Sequence, residues 1–308
     1  MNEKQKTCHD TDMDRTRRNL LKLAGPFALL LACPAYALDL FKILDPKGGS
    51  KDIQRAKNIF EGVGSIAASA TDLDYKSEFA IGESLALEGF QRYGLPAKNQ
   101  TVQKYVNTIG NAVVRNSMRS DIPYYFVVVE NNIYNAFACP GGIIFVSSAL
   151  LKSMNNEAEL ACVLAHEVAH VGHKHALQSI KRAKFFEGVG KISTANMQGE
   201  KGKKFQSMIG DLQSVLFDQG LDKDMEFEAD LSGMEIAYQT GYNPEGFIQV
   251  LDMLKQKEKT AVKKGSWFST HPPLSERIVK CDQVMGKYPD AASLAVVSKR
   301  FIEYRKLL

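Results

Sequence analysis

Apolar residues recur every three or four positions along much of the chain, which is the spacing of helices with one buried face. Residues 101–116 show this most clearly, because one helical face collects Val102, Tyr105, Val106, Ile109 and Val113. Residues 52–70 and 77–93 are also predicted to be helices. From Asn156 onward every predicted element is helical.

Two short runs rich in aromatic and β-branched residues predict strands, at residues 124–129 and 143–146. Between them, residues 135–142 end in Pro140-Gly141-Gly142, and we interpret this stretch as a turn. Helices therefore dominate. The predicted fold class is α+β, mainly helical, with a small β-sheet or hairpin.

The composition excludes several classes of protein. With 308 residues, 44% hydrophobic and 24% charged, the chain is neither disordered nor fibrous. No apolar run of about twenty residues lies beyond position 40, which excludes a protein with several membrane spans. The net charge of +4 is too small to predict a nucleic-acid partner. Only Cys139, Cys162 and Cys281 follow residue 37, and an odd number of cysteines permits at most one bridge among them.

The first 37 residues are predicted to be an export signal. Arg17 and Arg18 precede a broken apolar run at residues 20–33, as in twin-arginine signals. Cleavage after Ala37 would leave a single domain, residues 38–308, in the periplasm of a Gram-negative bacterium. Two alternatives stay open: an uncleaved N-terminal anchor, or lipidation of Cys33 with association to the outer membrane.

Four of the six histidines are clustered in one ten-residue stretch of a strongly helical region: His166, His170, His173 and His175. His166-Glu167-x-x-His170 is an H-E-x-x-H pattern. Because residues four apart share a helical face, both imidazoles can reach one ion. Glu167 is placed about 100° further round the helix, where it can activate a metal-bound water. Imidazole and carboxylate ligands suit zinc, and we expect one ion per chain.

A catalytic zinc needs a third protein ligand, and the best candidate lies downstream. Glu226 and Asp230 are four residues apart on a largely apolar predicted helix, and Glu228 is predicted to point away. Glu226 can bind the metal, while Asp230 can accept the free N–H of a zinc-bound histidine. His173 is a weaker ligand candidate, one turn beyond His170. His175 is predicted to lie on the opposite face and to make a structural hydrogen bond.

Together these motifs resemble the zinc metallopeptidase family that includes the CAAX prenyl protease, HtpX and BepA. Two further stretches share the resemblance: residues 135–142, and Thr270-His271-Pro272-Pro273 followed by Arg277. The resemblance spans roughly residues 80–285. It implies a zincin-type fold of the gluzincin kind, with the small sheet beside the active-site helix. The spanning helices and the tetratricopeptide array found in some members have no counterpart after the predicted signal.

The resemblance also implies roles for individual residues. Glu226 would be the third zinc ligand, and Asp230 would hold a zinc-bound histidine. Residues 137–146 would form an edge strand that takes extended substrate, a mode of binding open to peptides in general. Its substrate contacts would come from Asn135, Phe137, Ala138, Gly141 and Gly142. His271 and Arg277 would lie near the zinc, where they could stabilise the oxyanion or regulate access.

The resulting hypothesis is a zinc-dependent endopeptidase. Glu167 would activate a zinc-bound water to hydrolyse peptide bonds in unfolded or misassembled envelope proteins, and these polypeptides would be its partners. Two alternatives remain. One is a chaperone or assembly factor that uses the same cleft without cleavage. The other is an enzyme held shut by residues 183–220.

Overall fold

The computed structural model of the chain describes residues 73–182, 209–261, 265–271 and 273–308. The predicted export signal at residues 1–37, with Cys33, lies outside these ranges. So do the predicted helix at 52–70 and residues 183–208 of the segment considered as a gate. Those interpretations therefore stay predictions.

Two helices precede the sheet: α1, Tyr75–Tyr93, and α2, Gln100–Val114. Each begins after a residue whose side chain accepts backbone N–H groups of the first turn, Asp74 for α1 and Asn99 for α2. Such capping satisfies donors that a helix start leaves without partners. Helix α1 ends at Gly94, whose φ of 89° suits glycine. Both helices are confirmed to within two residues at each end.

Three short strands form one sheet: β1, Tyr125–Val129; β2, Ala136–Cys139; and β3, Ile143–Ser147. The strand order is β1-β3-β2, with β3 parallel to β1 and antiparallel to β2. Every strand residue is buried. The two predicted strands are confirmed as β1 and β3.

Strand β2 shows that the prediction of a turn over residues 135–142 was wrong in part. Only Pro140-Gly141-Gly142 forms the turn, with φ of 78° at Gly141 and 99° at Gly142. All four residues of β2 are buried, so no alternation of polar and apolar positions marked it as a strand. The edge strand expected at residues 137–146 is likewise two strands. β2 lies at the edge of the sheet and β3 in its centre.

Three helices follow the sheet: α3, Ser148–Ser153; α4, Glu157–Gly172; and α5, His175–Arg182. At the start of α4 the Asn156 side chain accepts the Glu159 amide, and the Glu159 carboxylate accepts the Asn155 amide. This reciprocal cap fixes where the helix begins. All residues of α4 from Glu157 to Val171 are buried.

The remaining elements are helical, as predicted. They are a π-helix at Val215–Gln219, α6 at Lys223–Thr240, α7 at Glu245–Lys257, α8 at Trp267–Thr270, α9 at Leu274–Val284, two 3-10 turns at Met285–Lys287 and Ala291–Ser293, and α10 at Ser298–Arg305. At the start of α7, the Asn243 side chain accepts the Glu245 amide at 2.9 Å. None of the helices in the described ranges is long and apolar enough to cross a bilayer.

Helix α4 lies at the centre of the molecule, between the sheet and helices α2, α6 and α7. Glycine allows its closest contacts. A Cβ added at Gly233 of α6 would lie 2.8 Å from the backbone nitrogen of His166. One added at Gly246 of α7 would lie 2.9 Å from the carbonyl carbon of Ala158. The three cysteines Cys139, Cys162 and Cys281 are buried free thiols.

The first residue of α4 joins distant parts of the chain. The fully buried Glu157 carboxylate accepts hydrogen bonds from the hydroxyls of Tyr105 and Tyr242. It also accepts the Arg300 guanidinium from α10, at 2.8 Å from Nε. A buried carboxylate is stable only with such partners. This Glu157 network therefore ties α2, α4, the start of α7 and α10 to one another.

Candidate metal centre

Helix α4 presents two imidazoles side by side at the centre of the molecule. The Nε2 atoms of His166 and His170 lie 3.0 Å apart, and both side chains are buried. Burial lowers the pKa of His166 to about 4 and that of His170 well below its usual value. Both rings are therefore neutral near pH 7 and have a lone pair for a metal ion.

Helix α6 brings a carboxylate to the same point. Glu226 is fully buried, with Oε1 3.6 Å from Nε2 of His170 and Oε2 3.8 Å from Nε2 of His166. Candidate ligand atoms of His166, His170, Glu226 and His271 all lie within 4.8 Å of one another. Burial raises the pKa of Glu226 well above its usual value, a cost that a bound cation would offset. Two neutral imidazoles and a buried carboxylate are a zinc ligand set.

Asp230 and Arg277 lie behind these ligands. One carboxylate oxygen of Asp230 is 3.0 Å from Nδ1 of His166. Arg277 donates to both oxygens of Asp230 at 2.8 and 2.6 Å, to the His271 carbonyl, and lies 3.0 Å from Glu226. Burial alone would raise the pKa of Asp230, but the guanidinium holds it below its usual range. Through these contacts Arg277 holds Asp230 and Glu226 in position. It lies behind the ligands, whereas an oxyanion donor was expected to lie beside the reacting atoms.

Glu167 differs from the other acids of this centre: Glu226 also lacks a hydrogen bond among the described residues, but it lies 3.0 Å from the Arg277 guanidinium. Neither carboxylate oxygen of Glu167 has a hydrogen-bond partner among the described residues, and its side chain is fully buried. Burial raises its pKa to about 8, against the opposing charge of Arg277. One of the Glu167 oxygens lies 3.6 Å from Nε2 of His271. Such a carboxylate suits a group that exchanges protons during a reaction.

His271 reaches the centre from the end of α8. Its Nδ1 is 2.8 Å from the Thr270 hydroxyl, which leaves Nε2 directed at Glu167 and the ligand set. The Trp267 indole stacks on its ring, with centroids 4.2 Å apart at an interplanar angle of 18°. The structure thus places His271 with His166, His170 and Glu226 at the candidate metal centre.

A cleft of about 460 Å³ opens beside Glu167, His170 and His271. One wall is strand β2 with the start of its turn, from Phe137 to Pro140. The other wall is mainly apolar and is formed by Val171, Ala176, Leu177, Val215, Leu216 and Leu221. Residues 215–220 belong to the segment considered as a gate, so part of that segment lines the cleft.

Of the five residues expected to contact substrate, Phe137 and Ala138 line the cleft. The other three have structural contacts. Asn135 donates to the Gly265 carbonyl at 3.1 Å, and Gly141 donates its amide to Glu78. Gly142 packs so tightly that a Cβ would lie 2.4 Å from the Pro123 carbonyl oxygen. Gly141 and Gly142 shape the turn that follows β2, and Asn135, the residue before β2, is held against Gly265.

Sequence reasoning missed Glu78, which lines the far end of the cleft. Its buried carboxylate accepts two guanidinium nitrogens of Arg119, at 2.7 and 2.9 Å, as well as the Gly141 amide. Lys174 Nζ lies 3.7 Å from it. The sequence around Glu78 does not mark it as a cleft residue, because Arg119 and Gly141, which hold its carboxylate, lie far away in sequence.

Of the two histidines beyond His170, His175 departs from the prediction. Helix α4 ends at Gly172 and Lys174 adopts a left-handed φ of 56°, so α5 begins with His175 in a new direction. His175 therefore faces the metal centre, and its Nδ1 lies 2.8 Å from Nδ1 of His170. The prediction that it lies on the opposite face was wrong, because it extended α4 past its end.

Glu228 does not point away from the histidines. It lies 3.1 Å from Nε2 of His175 and 3.3 Å from Nδ1 of His173. His173 also pairs with the Ser232 hydroxyl at 2.8 Å, and its ring stacks on His175. His173 belongs to this outer group and not to the set around Glu226.

Comparison with known proteins agrees with this arrangement. The sequence model of peptidase family M48 matches residues 100–284, which include His166, Glu167, His170, Glu226 and His271. The beta-barrel assembly-enhancing protease of Yersinia pestis is 29% identical over 237 residues, 72% of this chain and 46% of the relative. The protein of the same name from Escherichia coli K12 is 26% identical over 215 residues, 66% of this chain and 44% of the relative.

A mitochondrial relative is similar over a comparable stretch. The mitochondrial metalloendopeptidase OMA1 of Schizosaccharomyces pombe is 27% identical over 219 residues, 69% of this chain and 62% of the relative. The chain spans about half the length of the two bacterial relatives that it matches.

Proposed function

Since the chain belongs to peptidase family M48, we propose that it is a zinc-dependent endopeptidase acting on unfolded or misassembled polypeptides. One observation carries the proposal. Two neutral imidazoles and a buried carboxylate surround a common point, and a glutamate without a partner lies beside them at the cleft. The ligand geometry alone is common to structural and catalytic metal sites. The Glu167 carboxylate beside it is what a hydrolytic site needs in addition.

His166, His170 and Glu226 would hold one zinc ion per chain. When bound, zinc polarises the scissile carbonyl and lowers the pKa of a coordinated water from about 15.7 toward roughly 7. Asp230 fixes the His166 ring through Nδ1, and Arg277 holds Asp230 and Glu226 in place. Residues that orient ligands in this way set how tightly a metal is held.

Glu167 is the general base of the proposed reaction. It takes a proton from the water whose oxygen attacks the scissile carbonyl carbon, and a C–O bond forms. As the C–N bond breaks, the same carboxyl group gives its proton to the leaving nitrogen. Positioned proton transfer of this kind contributes about 10²–10⁴-fold to rate. Burial raises the pKa of Glu167 to about 8, which favours the protonated carboxyl group needed in the second half of this exchange. A bound cation nearby would favour the carboxylate needed in the first half.

Strand β2 supports an extended substrate. It pairs with β3 on one side only, and Phe137 and Ala138 face the cleft beside Glu167. A peptide in extended conformation can add to such an edge through main-chain hydrogen bonds. Folded proteins rarely expose a free extended segment, so unfolded or misassembled chains are the proposed substrate class. The names of the two bacterial relatives, which refer to β-barrel assembly, favour substrates of the bacterial envelope.

The test uses the full-length mature protein with zinc, an unfolded protein such as reduced casein as substrate, and Glu167→Gln. We expect the wild type to bind about one zinc per chain and to cleave. Glu167→Gln should bind zinc equally well and lose cleavage by about 10²-fold or more. Full cleavage by this variant would contradict the assignment of Glu167. Binding of the unfolded protein without cleavage by the wild type would indicate the chaperone function instead.

Export is the proposed route to the substrate. The twin-arginine-like pattern at Arg17 and Arg18 and the cleavage site ending at Ala37 support a periplasmic location. We expect fractionation of the native host to find the protein in the envelope, and mass spectrometry to find an N-terminus at Leu38. A lipid on Cys33 would establish the lipoprotein alternative, while an intact chain in the cytoplasm would contradict export.

A further inference from the structure

The zinc ligand His170 is connected to the protein surface through a second histidine. Its Nε2 faces the metal position, and its Nδ1 lies 2.8 Å from Nδ1 of His175. The far nitrogen of His175, Nε2, lies 3.1 Å from Oε2 of Glu228. His175 is fully buried, whereas the Glu228 side chain is 53% exposed. The three groups form a line from the centre to solvent.

Counting protons along this line fixes the tautomer of both rings. A neutral imidazole that binds zinc through Nε2 carries its proton on Nδ1. The Nδ1–H of His170 therefore donates to His175, whose Nδ1 must accept. The proton of neutral His175 is then on Nε2, where it donates to the Glu228 carboxylate. Every nitrogen of the two rings has one role, and each donor meets one acceptor.

With these tautomers, His175 cannot bind a second metal ion while His170 binds the zinc. His173, His175 and Glu228 offer ligand atoms close enough together to hold an ion. A metal on Nε2 of His175 would move the proton of that ring to Nδ1. Two N–H groups would then face each other across the 2.8 Å gap between His175 and His170. While His170 binds zinc, this group serves as a hydrogen-bond partner and not as a second site.

We propose that His175 and Glu228 are positioning residues that hold His170 in the tautomer and ring orientation needed for zinc. The proposal rests on the proposed function, since it assumes zinc at His170. Under this proposal, a carboxylate holds each of the two histidine ligands through Nδ1. His166 is held by Asp230 directly, at 3.0 Å, and His170 is held by Glu228 through the ring of His175. Anchoring carboxylates of this kind raise the basicity of the ligand.

The test measures the zinc dissociation constant of the full mature protein by competition with a chelator. We expect His175→Ala and Glu228→Ala to weaken zinc binding by about 10–100-fold. Glu228→Gln keeps an oxygen that can accept from His175, so it should lose less affinity than Glu228→Ala. The matched control is Glu235→Ala, which removes an exposed glutamate two turns further along α6 whose carboxylate accepts from Gln239, and it should leave the constant unchanged. Since Glu228 is exposed, its variants should fold even if His175→Ala does not.

A spectroscopic measurement separates positioning from a general effect on folding. Nitrogen NMR of the zinc-loaded wild type should show His170 protonated at Nδ1 and His175 protonated at Nε2. Protonation of His175 at Nδ1 would overturn the proposal, as would wild-type zinc affinity in Glu228→Ala or an equal loss in Glu235→Ala. A wild type that binds zinc without cleaving would refute the proposed function and leave this inference standing. A wild type without zinc would refute both.

Discussion

Most side chains that face the proposed zinc position are held from behind by a second group. Asp230 holds His166, His175 holds His170, and Arg277 contacts Glu226. Thr270 and Trp267 hold the ring of His271 by a hydrogen bond and by stacking. Among the described residues, no hydrogen bond holds the Glu167 carboxylate. This contrast fits the proposed reaction, in which the metal ligands keep their orientation and Glu167 accepts and releases a proton.

We expect His271→Ala to raise the rate of cleavage of unfolded casein at saturating zinc. Nε2 of His271 lies with the three other ligand atoms and 3.6 Å from Glu167. Four protein donors would give the closed coordination of a structural zinc, while a catalytic zinc keeps one position open. Removing His271 opens that position beside Glu167. The matched control is Ser269→Ala on the same short helix, whose hydroxyl contacts only a carbonyl of its own helix in the described structure. A lower rate in His271→Ala would show that the ring stabilises the oxyanion.

Where a helix continues, residue spacing predicted which side chains lie close together, and their role in binding a metal stays a prediction. His166, Glu167, His170, Glu226 and Asp230 were found from positions one or four apart, and the structure brings all five together. His175 was misplaced, because little in the sequence marks the end of α4 at Gly172. The left-handed backbone at Lys174 is set by packing and not by its own preference, since lysine rarely adopts it.

Among the elements, the contact between α4 and α6 decides where the third ligand lies. Glu226 and Asp230 belong to α6, and both histidine ligands belong to α4. The two helices approach closely where Gly233 meets the backbone of His166. A larger residue at this point would push apart the elements that carry the three ligands.

We therefore expect Gly233→Ala to weaken zinc binding and to lower the free energy of unfolding by about 1–3 kcal/mol, the usual cost of overpacking a core. The added Cβ would lie 2.8 Å from a backbone atom that cannot rotate away. Gly286→Ala is the matched control, since a Cβ there has no heavy atom within 4 Å. Chelator competition and urea denaturation of both variants give the two quantities. Equal behaviour of the two variants would contradict the role of this contact.

Element prediction succeeded for amphipathic helices and failed for the shortest strand. Helix α2 and strands β1 and β3 were found from their apolar periodicity or β-branched residues. Strand β2 was missed because its four residues, two of them alanine, are all buried and carry no period. Its identity comes from pairing with β3, which is a long-range property.

At the scale of the whole molecule, the Glu157 network joins the last described helix to the centre. Arg300 lies 143 residues from Glu157 in sequence, and Tyr105 and Tyr242 approach the same carboxylate from other elements. The first residue of the helix that carries both histidine ligands is thus held by α10.

We expect Arg300→Ala to lower the free energy of unfolding by about 3–5 kcal/mol, because it leaves a buried carboxylate without its cation. Adding Glu157→Gln to this variant should restore part of the loss, since the unpaired charge is then gone. Lys299→Ala, an exposed neighbour on α10, serves as the control and should change little. Urea denaturation of the four proteins makes the comparison. No recovery in the double variant would show that the cost comes from lost packing.

The sequence contains a single tryptophan, Trp267, and its indole lies against the rings of His271 and His166. Selectively excited tryptophan emission from this protein therefore comes from one fluorophore in van der Waals contact with the metal centre. Binding of the ion, or displacement of His271, changes the polarity and quenching around that indole. The native protein carries a built-in optical probe, which allows arrival of the metal to be followed by stopped-flow mixing without a label.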